Sequence, residues 1–149
     1  MRSRTAIWFE CKIKYEKVTE DGMKKGVTEQ YAVDALSFAE AEARITEEVA
    51  TFISGDFTIE DVKKVPYKEV FFSDNDGDDR YYRVKLDFIT IDEVTAKEKR
   101  SRVTYLVQAG SLSGAMKGVD EVMGGTMIDY DAAAITETKL MDVFEYGKE

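Results

Sequence analysis

Along Phe9, Cys11, Ile13 and Tyr15 apolar positions alternate with Glu10, Lys12, Lys14 and Glu16. A period of two predicts a strand with one face buried. The polar run from Thr19 to Gly26, with glycine at 22 and 26, predicts a turn, and a second strand follows from Val27 to Ala35. The chain therefore opens as a hairpin. At Ser37 the period changes. Ser37 and Glu40 have the spacing of a capping box, and Phe38, Ala41, Ile45, Val49 and Phe52 recur at helical spacing, with Glu40, Glu42, Glu47 and Glu48 mostly on the wet side. A left-handed glycine cap would end this helix near Ser54-Gly55. Phe57 to Val65 and Tyr67 to Phe72 read as two more strands. Pro66 between them cannot donate to a ladder and fits an edge, a bulge or a turn.

After the hydrophilic stretch Ser73–Asp79 the pattern restarts. Tyr82, Val84, Leu86 and Phe88 alternate with Arg83, Lys85 and Asp87. Thr90 to Lys99 reads as a polar hairpin tip and Arg100 to Ala109 as the returning strand. Ser111 caps a second helix carrying Leu112, Ala115, Val119 and Met123, which ends at Gly124-Gly125. Its glycines, with Gly114 and Gly118 among them, predict close packing on that helix. Two last strands are expected near Thr126–Asp131 and Ile135–Tyr146. The stretch Tyr31–Ala41 returns as Tyr105–Ala115 in the same order of aromatic, apolar, valine, polar and alanine, followed by a helix-opening serine. Cys11–Tyr15 likewise matches Val84–Phe88, and Glu69-Val70-Phe71 matches Asp142-Val143-Phe144. These correspondences predict an α+β protein of internally duplicated strand-strand-helix-strand-strand units. Residues 6–73 and 80–146 form the repeats and 74–79 an acidic connector. Together they would make one pseudo-symmetric domain over 1–149, of mainly antiparallel sheet with two helices.

Composition narrows the chemistry. The 149 residues include 44% hydrophobic side chains, enough for a packed core, and no apolar run approaches the roughly 18 residues of a membrane span. The N-terminal residues lack the apolar stretch of a secretory signal, and the one cysteine, Cys11, falls in the alternating strand pattern as a small core residue. A cytoplasmic protein without membrane partners is expected. With 21 basic and 30 acidic residues the formal charge is −9, which opposes nucleic acid and anionic lipid in bulk. Histidine is absent, and with it the commonest general base, nucleophile activator and transition-metal ligand. No phosphate loop is present, since Gly124-Gly125-Thr126 lacks the lysine such a loop needs. No cofactor is expected, and the balance leans away from an enzyme.

The combination of Trp8-Phe9-Glu10-Cys11-Lys12, the stretch Tyr31–Glu42 and Glu69-Val70-Phe71 resembles a family of short uncharacterised proteins of Bacteroidetes-type bacteria, their phages and mobile elements, known as domain of unknown function 4494. The resemblance covers nearly the whole chain and is specific at Tyr31 to Arg44. It implies a bacterial, intracellular protein of this size and carries no functional residues with it.

Two groups of residues are candidate sites. Asp74, Asp76 and Asp78 alternate as calcium-loop oxygens do. Counted from Asp74, however, the glycine position of an EF-hand loop holds Asp79 and the closing glutamate position holds Lys85. A solvated turn is the plainer reading. Lys12, Lys14, Arg83, Lys85, Arg100 and Arg102 sit on strands, with Lys63, Lys64 and Lys68 on others, while acids concentrate on the first helix and the connector. With Tyr31, Tyr67, Tyr81, Tyr82 and Tyr105 they would supply charge and stacking for single-stranded nucleic acid. Glu10, Glu16 and Asp87 share those strands, and strand tyrosines commonly pack in sheets. The leading expectation is a non-enzymatic binding or assembly module with a protein partner or with itself. A nucleic-acid-associated protein, or a small-molecule enzyme using carboxylates or lysine, are the alternatives.

Overall fold

The computed structural model of the chain describes residues 1–148. The first alternating run becomes β2 (Trp8–Val18), which follows a short strand β1 (Arg2–Arg4) and pairs in antiparallel register with β3 (Lys24–Asp34). The register sets Phe9 opposite Val33 and Cys11 opposite Tyr31, so one face of the hairpin is apolar. Helix α1 (Phe38–Ala50) starts where Ser37 Oγ accepts the Glu40 amide at 3.1 Å. That bond satisfies one of the donors a helix start leaves open. Ala41, Ile45 and Val49 are fully buried against Phe9, Cys11, Ile13, Tyr31 and Val33.

The ends of the predicted apolar stripe depart from expectation. Phe38 and Phe52 are 56% and 51% exposed, and each touches one core aromatic, Phe38 meeting Phe9 in a T-shaped contact and Phe52 meeting Tyr31 in a tilted one. The helix also stops earlier than glycine would dictate. Thr51 caps it with its amide and its hydroxyl both donating to Glu48 O, and the amides of Phe52 and Ile53 return to Val49 O. Gly55, at φ +100°, instead turns the chain into β4 (Phe57–Val65).

The second alternating run gives β6 (Arg80–Ile91) and β7 (Glu98–Ala109), an antiparallel hairpin paired from Arg80–Ala109 to Ile91–Glu98. Ser111 Oγ accepts the Gly114 amide at 3.0 Å and opens α2 (Leu112–Gly124), which buries Ala115, Val119 and Met123. Leu112, expected in that stripe, is half exposed, and Gly118 takes a buried place instead. A Cβ at Gly118 would stand 2.6 Å from the Met1 methyl, so the close approach foreseen on this helix is made by Met1.

β5 (Tyr67–Phe72), β8 (Asp129–Glu137) and β9 (Leu140–Phe144) complete two sheets. Their strand orders are β4-β2-β3-β9 and β1-β5-β7-β6-β8. The class is α+β with two helices and mostly antiparallel pairing. The parallel pairs are β3 with β9 and β5 with β7. The chain divides into two compact units, one of Met1–Thr5 with Tyr67–Thr138, the other of Ala6–Pro66 with the segment from Lys139 onward. These units cut across the two stretches of sequence that resemble each other. The four-stranded sheet, begun by β2 and β3, is completed by β9 from the C-terminal end, and β5 enters the sheet of β6 and β7. Within the four-stranded unit the ring of Phe144 stacks on Tyr31 at 5.5 Å, and within the five-stranded unit Phe71 stacks on Tyr105 at 5.0 Å. Pro66 stands where the chain passes from one unit to the other, a place that demands no ladder donor. No helix among the described residues is long and apolar enough to cross a membrane.

Candidate functional site

Lys12 and Lys14 are exposed on β2, on the face away from α1. Lys14 Nζ lies 3.9 Å from Glu60, and Lys12 stands between Gln30 and Asp61 on the flanking strands. Lys63 approaches Glu10 at 3.8 Å. The other four predicted basic residues belong to the five-stranded unit. Arg83 donates to the Tyr67 hydroxyl at 3.2 Å, and Lys85 faces Thr104 and Ala134 across the ladder. Arg102 grips Asp87 with two bonds, of 2.9 and 3.3 Å, and Arg100 reaches Asp131 at 3.0 Å and Glu98 at 3.3 Å. Cross-strand neighbours of opposite charge thus build a ladder on the outer face of β7, β6 and β8. The Arg102 guanidinium bonded to Asp87 holds that carboxyl below the ordinary range, and the pairing raises both arginines. Tyr31, Tyr67, Tyr81, Tyr82 and Tyr105 are all buried, and Tyr31, Tyr82 and Tyr105 belong to the two hydrophobic cores.

The acidic connector is organised by its own bonds. Asp74 accepts the Met1 ammonium at 2.6 Å, which lowers its carboxyl. Asp78 accepts the Ser73 hydroxyl, while Gln108 fastens the loop by donating to Asp78 O at 2.9 Å and accepting from the Ser73 amide at 3.0 Å. A Cβ at Gly110 would come within 2.9 Å of Asp78 Oδ1, so a larger residue there would displace the Asp78 side chain. Among the described residues no three His, Cys, Asp or Glu side chains converge as a metal would require. A cleft of about 410 Å³ lies between the connector and the start of α2, lined by Asp74, Asp78, Ser111, Lys117 and Glu121 among others.

Cys11 is wholly buried, and burial, with Asp61 and Glu10 nearby, pushes its thiol up to about 12. Such a thiol is a core side chain and a poor nucleophile. Spacing alone does not mark the cluster at the end of β3. There the buried Asp34 carboxylate accepts the Arg44 guanidinium from α1 and, at 2.8 Å, the Tyr146 amide, with the Arg44 cation 5.5 Å above the Tyr146 ring. The one sequence signal for it is a lone arginine among the acids of the first helix. A second such feature is a shallow groove of about 490 Å³ beside β4, floored by Phe38, Ala39, Ile59 and Val62 and rimmed by acids.

A family model described as a domain of unknown function (DUF4494) matches residues 7–146. No curated protein and no solved structure matches the chain.

Proposed function

The chain belongs to the DUF4494 family, and we propose that it is a non-enzymatic binding or assembly module that meets protein partners through its sheet edges. The observation that carries this reading is two of the four edge strands, β4 and β8, each nine residues long and each, among the described residues, hydrogen-bonded to a neighbouring strand on one side only. An open edge offers unpaired amides and carbonyls at strand spacing, and pairing them with another chain is a recurrent mode of recognition. The engagement of Arg100 and Arg102 by carboxylates favours this reading over nucleic-acid binding, because a guanidinium already held by an acid gains less from a phosphate.

The test is capture of the tagged full chain from native lysate with and without nuclease, read by mass spectrometry. A protein partner, or untagged copies of the chain itself, retained after nuclease is the expected result. Retention lost to nuclease, together with salt-dependent binding to single-stranded oligonucleotides that Lys12→Glu and Lys85→Glu abolish, would overturn it.

A further inference from the structure

We propose that β4 is a self-complementary edge, and that its partner is a second copy of this chain, added antiparallel about a two-fold axis through Val62. The proposal rests on the reading of the chain as an edge-binding module and names the occupant of one edge. The strand reads Ile59-Glu60-Asp61-Val62-Lys63-Lys64-Val65. Laid against itself in the opposite direction, it sets Val62 on Val62 and Asp61 on Lys63. Each Asp61 meets the Lys63 of the other copy, twice over, as an isologous contact requires.

The side chains are placed for this. Asp61, Lys63 and Lys64 are exposed, and the ladder to β2 sets Lys63 and Asp61 opposite Glu10 and Lys12 on one face. Val62 lies on the other face, partly packed on the core that α1 covers, and lines the groove with Phe38 and Ala39. Val62 of a second copy would therefore arrive beside the groove that Phe38, Ala39 and Ile59 share with Glu42. Glu60, the extra residue of a bulge opposite Lys12 and Ile13, ends the regular register. The rival edge does not have this property. Folded on itself about Ala133, β8 sets Asp129 against Glu137 and gives Asp131 no cation, so like charges oppose the pairing.

Sedimentation of the full chain over a concentration series tests the proposal. Wild type is expected to dimerise, and Asp61→Lys to weaken the dimer about tenfold or more, since it puts lysine opposite lysine at two places. Mixing Asp61→Lys with Lys63→Asp is expected to restore a heterodimer, because the two faulty strands are complementary to each other. The double variant, with both changes in one chain, should again dimerise alone. Lys63 faces Glu10, so Asp61→Lys, at an exposed position, is the decisive single variant, and the fluorescence of Trp8 reports folding in each case. A chain that stays monomeric throughout overturns the β4 pairing, as does a dimer indifferent to Asp61→Lys. If the same monomeric chain still retains a nuclease-resistant partner, the module reading survives and the self-pairing alone has failed.

Discussion

Asp34 shows what a single buried charge demands. Its carboxylate is held by Arg44 and the Tyr146 amide, and the Arg44 side chain is only 10% exposed. Removing one partner of a buried pair leaves the other desolvated without compensation, so Arg44→Ala is expected to cost about 3 kcal/mol in denaturant unfolding. Arg44→Lys recovers part of that, since lysine keeps the charge and loses the planar fork. Cys11 carries the clearest dependence on pH. Its folded value, about 12, is raised above the ordinary 9.0, so its contribution to stability is complete below about 9 and is lost as pH rises toward 12. Tyr15, pushed to about 12 by burial and its bond to Glu29, adds to the same alkaline loss. Melting followed from pH 8 upward should show the decline, and Cys11→Ala should make it shallower. A thiol reagent at pH 8 should leave the native cysteine unmodified and label it after denaturation.

At the scale of the element, the β6–β7 hairpin is closed by a tip in which Asp92 Oδ1 accepts the Val94 and Thr95 amides at 2.8 and 2.9 Å. These bonds hold the Asp92 carboxyl below its usual range. Ala96 follows at φ +56°, in the left-handed region that a Cβ disfavours. Ala96→Gly should therefore raise stability by about 1 kcal/mol, read as a higher melting temperature. Elements of this kind were legible in the sequence. Alternation at Phe9–Tyr15 and Tyr82–Phe88 marked two strands because each buries one face, and Ser37 and Ser111 marked both helix starts because a cap is a local bond. What spacing could not carry was distance. Phe38 and Phe52 fit the helical stripe and yet lie at its ends, where the sheet beneath no longer covers them. The Asp34–Arg44–Tyr146 cluster joins three segments that sequence periodicity treats as unrelated. Edge status is likewise invisible to a pattern, because only the pairing places β4 at an edge.

At the scale of the whole molecule, neither half of the sequence contains a complete sheet. A fragment ending after residue 73 keeps β2, β3, α1 and β4 and lacks β9, so Tyr31 loses the ring of Phe144 and the edge from Gln30 to Val33 loses its partner. That fragment should show no cooperative melt by circular dichroism, whereas the full chain should. Adding residues 139–149 to it through a flexible linker is expected to restore the transition, because that segment belongs to the same compact unit. Recovery without the added segment would show that β9 is dispensable.

The parallel seating of β9 beside β3 also has a consequence for the order of events during synthesis. The two strands are separated by about three-quarters of the chain, and contacts of such long range form late and slowly. Residues 8–65 leave the ribosome long before residues 140–144, so the sheet started first is the last to be finished. Throughout that interval Gln30–Val33, with the apolar Tyr31–Val33 and amides not yet paired on that side, waits open to any other nascent strand.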